Sequence, residues 1–357
     1  MKVLMIGSHL QVKGGITQVV KNYHQAGIGK KVDLSYYPTY YGKSLPINVL
    51  YFTLRVINLF IQLFLLSRVY DVAHIHMSYK GSFTRKRIII NILARKKIPI
   101  ILHMHGSSFK DYYKEASKGK QKQISDTLNK ARIIVALGIS WKSYFESISN
   151  TKVISLDNAV FPKKQEHVRN EKMYITTMGV LSKRKGTYDI IEVAKKLRGK
   201  IDEKYKFLIA GDGDIEKVKK LIELNGLSDM FVIPGWISDS EEIEKIYRQS
   251  AIYILPSYNE GMPMSILEAM SYGIPIISTN VGSIAAVVEK ENGYVVNPGD
   301  IESIESCIQQ LLKNEEKNEI MGRNNIEKIT KNYNIYRSVE DLITIYKNIS
   351  GVKNIAS

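Results

Sequence analysis

Short, almost purely apolar runs alternate along this chain with longer stretches whose apolar residues recur every three or four positions. The first pattern is that of strands buried on both faces of a parallel sheet, and the second that of helices packed on such a sheet. In the first half, strands are predicted at Lys2–Ile6, Val32–Tyr36, Val72–His76, Ile98–His103, Ile133–Leu137 and Lys152–Ser155. The pattern restarts with Tyr174–Met178, Lys206–Ala210, Met230–Ile233, Ile252–Leu255, Ile274–Ser278 and Gly293–Val296. Between the two series, Phe161 to Lys172 is polar, holds Pro162 and lacks periodicity, so it reads as a linker. At 357 residues the chain exceeds what one hydrophobic core usually serves. The expected architecture is α/β: two Rossmann-like, doubly wound domains facing each other across a cleft. The expected boundaries are 1–160, a linker 161–172, 173–332, and a terminal helical run 333–357.

The most apolar stretch, Val49 to Val69, departs from the strand–helix rhythm. Arg55, Asn58 and Gln62 fall on one helical stripe, and a spanning helix would carry them through about 30 Å of hydrocarbon. A helix packed on its own sheet is therefore expected, with contact at a membrane interface as the second reading. The opening Met1–Gly7 run reads as a first buried strand and not as a signal peptide.

Charge separates the two halves. Residues 1–160 carry 24 Lys and Arg against 7 Asp and Glu, a net of +17. The remainder carries 27 against 28, a net of −1. The clusters Arg85–Arg87, Arg95–Lys97 and Lys110–Lys122 belong to no nucleic-acid module, and an anionic lipid surface suits them at least as well. The single cysteine, Cys307, lies in a helical pattern and reads as a small buried residue, which suits the cytoplasm.

Candidate chemistry concentrates at strand ends. After the run Ala251–Leu255 comes Pro-Ser-Tyr-Asn-Glu-Gly-Met-Pro-Met, with Glu260 among turn formers and a helix expected from Pro263 to near Gly273. Glu268 falls about a turn and a half into that helix. The helix start between the two acids offers free backbone N–H groups, a seat for phosphate at Gly261, Met262 and Met264. One carboxylate for a sugar, an anion seat and a second carboxylate for vicinal hydroxyls together suit a nucleotide sugar. Gly14-Gly15 opens a helix after the first strand and permits close backbone approach to a ligand. Lys183-Arg184-Lys185-Gly186 supplies cations at a strand-to-helix turn, where they can neutralise a leaving diphosphate. His103 and His105 alternate on a strand and share a side; no third ligand is evident from spacing, so no metal is assigned. Gly211-Asp212-Gly213-Asp214 spells a D-x-D, read here as a turn with Asp214 capping the next helix. Trp236, after Pro234-Gly235 at the end of a predicted strand, is equally compatible with a core position.

The Glu260–Glu268 segment closely resembles the E-x7-E signature of the family-four retaining glycosyltransferases, and the resemblance runs over nearly the whole chain. It implies the B-type fold, a nucleoside-diphosphate sugar donor (a UDP-sugar foremost) bound by the second domain, and an acceptor bound by the basic first domain. It implies that His105 touches the transferred sugar, that Glu260 holds its hydroxyls, and that Lys185 stabilises the leaving group. Gly14, Gly15, Arg184, Gly235, Trp236 and Glu268 join the donor site. Val180 departs from the family pattern, which often has an Arg there; Arg184 or Lys183 would replace it. No cofactor and no metal are expected, and front-face attack retains configuration. The expected setting is cell-surface polysaccharide synthesis on a lipid-linked or glycan acceptor, peripheral to the inner face of the plasma membrane, without nucleic acid. A sugar-nucleotide epimerase on the same fold, or a basic non-enzymatic binding protein, are the rivals. A dehydrogenase is disfavoured because no G-x-G-x-x-G follows the first strand.

Overall fold

The computed structural model describes residues 1–163 and 173–351. Most of the expected linker, 164–172, lies outside the described residues. The chain divides into two units: Met1–Ala159 with Ile335–Ser357, and Val160–Asn334.

Among the described residues, the first unit is built on a six-stranded parallel sheet ordered β2-β1-β3-β4-β5-β6. Its strands are β1 (Lys2–Gly7), β2 (Asp33–Pro38), β3 (Val72–Met77), β4 (Ile100–Met104), β5 (Ile133–Ala136) and β6 (Val153–Ser155). Every residue of β3 and β4 is buried, so both faces are covered, as an all-parallel sheet requires. The chain steps from β1 to β2 and then crosses to the other side of β1. The order therefore reverses between β1 and β3, and ligand crevices form at the carboxyl ends of strands at such a reversal.

The second unit repeats the plan with β7 (Tyr174–Met178), β8 (Lys206–Ala210), β9 (Phe231–Gly235), β10 (Ser250–Leu255), β11 (Ile276–Thr279) and β12 (Gly293–Val296). Its order, β12-β11-β10-β7-β8-β9, places the reversal between β7 and β10. All twelve expected strands are present, with no end displaced by more than two residues.

The helix Ile335–Ser350 belongs to the first unit, although it follows the second in sequence. Ile335, Val339, Leu342, Ile343 and Tyr346 recur at helical spacing and are buried. Each such side chain contributes about 1.5–3 kcal/mol by leaving water. Tyr346 also carries its hydroxyl to His74 Nδ1 at 2.6 Å.

Val49–Val69 requires a correction. A helix spans Leu45–Phe60 and continues through a wide π turn to Leu65. It packs on the core through Leu59 and Leu63, with Phe52, Val56 and Phe64 partly buried beside them. Yet only 17% of its most apolar 18-residue window is buried, so most of its apolar surface faces outward and a simple packed helix does not describe it.

Candidate functional site

In the second unit, the loops after β7 and β10 meet at the reversal of strand order. Lys185 Nζ lies 2.5 Å from Glu260 Oε1, and Arg184 Nη1 lies 3.5 Å from the same oxygen. Ser257 Oγ donates to Glu260 Oε1 at 3.0 Å, so the carboxylate has one fixed rotamer in a nearly water-free position. Arg184 Nη1 also donates to the Asn259 carbonyl at 2.7 Å, and Tyr258 N donates to the Arg184 carbonyl at 2.8 Å. The two loops are thereby joined on both sides of Glu260.

Two glycines make the close approach sterically feasible. Gly186 has φ +71° and a Cβ there would collide with the Pro256 carbonyl. Gly282 has φ +61° and faces the Glu260 and Gly261 carbonyls in the same way. The helix after the loop runs Met264–Ser271, with Pro263 standing just before it and not inside it as expected. Met262 and Met264 are buried, so what they offer a ligand is backbone N–H.

Glu268 lies on that helix, partly exposed, and accepts from Tyr247 Oη at 3.3 Å. Burial raises its pKa from the usual glutamate value, and the Tyr247 hydrogen bond opposes that rise. Gly235 ends β9 with φ +81°. Trp236, next to it, is 41% exposed, which removes the core reading. The D-x-D segment forms a turn, but Asp214 does not cap the following helix: no helix N–H reaches its side chain, which accepts from Tyr188 Oη at 2.7 Å instead. Val180 is exposed, and Arg184 lies beside Glu260. Burial pushes the Asp189 carboxyl up, opposed by the Tyr258 hydrogen bond and by the charge of Lys183.

In the first unit, Gly14 has φ +138° and precedes the helix Gly15–Gln25. A Cβ on either Gly14 or Gly15 would meet no atom within 4 Å, so the loop leaves open space at a helix N-terminus. His105 follows β4, with its backbone N donating to the Met77 carbonyl at 2.8 Å. Its Nε2 lies 2.9 Å from His76 Nδ1.

Sequence reading missed the partners of this histidine. His74 and His76 alternate on β3 as His103 and His105 do along the neighbouring strand, and the register sets His76 opposite His103. Four imidazoles therefore share one face of the sheet, with the His103 and His105 rings stacked at 4.2 Å. His74 Nε2 lies 3.2 Å from His103 Nδ1. Burial pushes His74 down to about 3, helped by the charge of His105, and pushes His105 down to about 3 on its own. Burial also holds His76 and His103 well below the ordinary imidazole value. All four are neutral near pH 7.

Ligand nitrogens of His74, His76 and His103 lie within 4.8 Å of one another, so a third nitrogen donor exists that spacing did not reveal. Their mutual hydrogen bonds occupy part of this donor set, and the Nε2 atoms of His76 and His103 have no partner among the described residues. A surface depression of about 490 Å³, lined by Arg132, Ile133, Lys152 and Asn348 among others, lies at the amino ends of β5 and β6 and touches none of these groups. Cys307 is buried, and burial raises its thiol to about 11.

The family described as Glycosyl transferases group 1 matches residues 159–328, nearly the whole second unit. The UDP-Gal:alpha-D-GlcNAc-diphosphoundecaprenol alpha-1,3-galactosyltransferase of Escherichia coli is 26% identical over 319 residues, covering 78% of this chain and 75% of that protein. The capsular polysaccharide biosynthesis glycosyltransferase CapM of Staphylococcus aureus is 25% identical over 232 residues, and the match spans 58% of its length. Among solved structures, the sucrose-phosphate synthase of Thermosynechococcus elongatus superposes with a TM-score of 0.78 at 14% identity, covering 98% of this chain and 99% of that one. Anabaena HepE in complex with UDP and glucose gives 0.75 at 13% identity, covering 97% and 99%. The chain thus has the B-type glycosyltransferase fold, and its second unit is similar in sequence to the group 1 glycosyl transferases.

Proposed function

We propose that this protein is a retaining, metal-independent glycosyltransferase that moves a sugar from a nucleoside-diphosphate sugar, a UDP-sugar foremost, to a lipid-linked or glycan acceptor in cell-surface polysaccharide synthesis. The observation that carries the reading is the convergence of Lys185, Arg184 and Glu260 at the β7/β10 reversal, beside the N-terminus of the helix Met264–Ser271. A diphosphate leaving group gathers negative charge as the glycosidic bond breaks. Lys185, Arg184 and the backbone N–H groups from Gly261 to Met264 supply fixed positive potential for it.

In the free protein Lys185 is paired with Glu260, so both are held in place before the donor arrives. An arriving diphosphate draws Lys185 toward itself and leaves Glu260 free to accept from sugar hydroxyls. Glu268 accepts from the ribose diol, and Trp236 and Gly235 border the base. His105 is assigned the transferred sugar as a neutral hydrogen-bonding group, oriented by His76. The acceptor hydroxyl gives its proton to the departing phosphate, so a dedicated carboxylate nucleophile is not required.

The basic first half and the diphosphoundecaprenol substrate in the name of the E. coli relative support an acceptor carried by lipid, reached from the cytoplasmic face of a membrane. A thermal-shift panel of UDP-, GDP-, ADP- and dTDP-sugars tests the donor assignment, because a ligand bound only by the native state raises the melting temperature. At least one should raise it at millimolar concentration. A flat response to all four would remove the donor site from the second unit.

A further inference from the structure

The helix Leu45–Phe60 and its continuation to Leu65 turn one apolar face to the core and a second one outward. Leu50, Leu54, Ile57, Ile61 and Leu65 follow one another at intervals of three or four, which places them on one stripe. All five are exposed, from 37% at Ile61 to 70% at Leu65. Two polar residues of the same helix, Arg55 and Gln62, are half-buried beside the inward-facing Leu59 and Leu63, while Asn58 stays exposed. The Arg55 guanidinium lies 3.7 Å from the centre of the Tyr37 ring, and its Nε donates to the Pro38 carbonyl at 3.2 Å. Tyr37 Oη donates to Asn58 Oδ1 at 3.0 Å, and Gln62 Nε2 donates to the same oxygen at 2.8 Å. A helix on a water-facing surface turns charged and polar residues outward instead. A continuous exposed apolar stripe of this length marks a surface that something else covers.

Charge identifies the cover. Residues 34–110 contain eleven Lys and Arg and one acid, Asp71. Arg68, Arg95, Lys96 and Lys97 are exposed near the carboxyl end of the stripe, and Lys96 Nζ lies 4.3 Å from the centre of the Phe64 ring on the helix. A second copy laid on this face would bring like charge against like. An anionic bilayer complements both features, with acyl chains for the stripe and phosphates for the cations. At 21 residues the segment is long enough to span. However, Arg55 and Asn58 tie it to Tyr37 and Pro38 of β2, and Leu59 and Leu63 pack on the core, so it lies along its own unit.

We infer that this stripe is a monotopic docking face that enters the headgroup–acyl boundary of an anionic leaflet, an inference that rests on the proposal of a membrane-borne acceptor. The test is sedimentation of the full chain with phosphatidylcholine vesicles, with and without phosphatidylglycerol, at low and high salt. Wild type should pellet with the anionic vesicles and keep a residual, salt-resistant fraction. Leu54→Gln with Ile57→Gln should lower the partition coefficient at least about tenfold at both salts, since two apolar side chains leave the boundary. Lys96→Gln with Lys97→Gln should remove only salt-sensitive binding. Circular dichroism and the donor thermal shift should be unchanged in both variants.

Wild-type partition by the Leu54/Ile57 variant would overturn the inference. So would a wild type that ignores anionic vesicles, including one that light scattering shows to be a dimer which the variant dissociates. A lost donor shift with intact vesicle binding would instead count against the glycosyltransferase reading and leave the docking face standing.

Discussion

Lowering the pH from 7 to 5 should destabilise the first unit selectively, because its sheet encloses four neutral histidines. His74 and His105 are pushed down to about 3 against 6.5 for a free imidazole. Between those values the unfolded chain binds protons that the folded chain refuses, so stability is full above pH 6.5 and falls with pH through the window. Each such group costs about 2 kcal/mol between pH 7 and pH 5, or about 4 kcal/mol for the pair. His76 and His103 shift in the same direction and add to the effect. Against a total stability of about 5–15 kcal/mol this is a large fraction. The protein has two tryptophans, and the buried one, Trp141, lies in the first unit while Trp236 lies in the second. In a Trp236→Phe background, urea titrations followed by fluorescence therefore report the first unit alone. The midpoint should fall steeply between pH 7 and pH 5, and His74→Gln should reduce that pH dependence by about 2 kcal/mol whatever it does at pH 7. A first unit equally stable at both pH values would refute the buried, neutral cluster.

Glu260→Gln and Lys185→Ala should each cut turnover by about a hundredfold or more while the protein stays folded, the scale of losing one preorganised electrostatic group; near-wild-type rates in either folded variant would reject its role. Glu268→Ala should mainly weaken donor binding in calorimetry, and unchanged affinity would take it away from the ribose. Turnover should survive chelation by EDTA, because Lys185 and Arg184 carry the countercharge; a loss that added Mg²⁺ or Mn²⁺ restores would contradict that assignment.

Much of the fold was legible because the strands are short apolar runs, a signal that parallel sheets buried on both faces produce directly. The order of the strands was not, since pairing β10 with β7 and not with β9 is a long-range choice. The Glu260 loop was readable as a loop between a strand and a helix from its turn formers and the helix behind it. That Lys185 reaches its carboxylate became visible only once two loops 75 residues apart were placed together. His74 and His76 had a signal that went unread. Two His-x-His pairs on successive strands predict a shared face if the strands are neighbours in register, as β3 and β4 are. The orientation of the Val49–Val69 helix could not be read, because a stripe of Arg55, Asn58 and Gln62 fits an outward face as well as an inward one. Tyr37 and Pro38, on another element, decided it. Asp214 failed as a cap because Tyr188, one helix away, captured its carboxylate.

Transfer is measured most directly by release of free nucleoside diphosphate from the donor identified by thermal shift, with and without a lipid-linked glycan acceptor, with NMR of the anomeric proton in the product. Diphosphate should form only when acceptor is present, together with a new glycosidic bond that has the anomeric configuration of the donor. Conversion of the donor sugar without acceptor would make the protein an epimerase, and an inverted product would contradict the retaining mechanism built on Glu260 and Lys185.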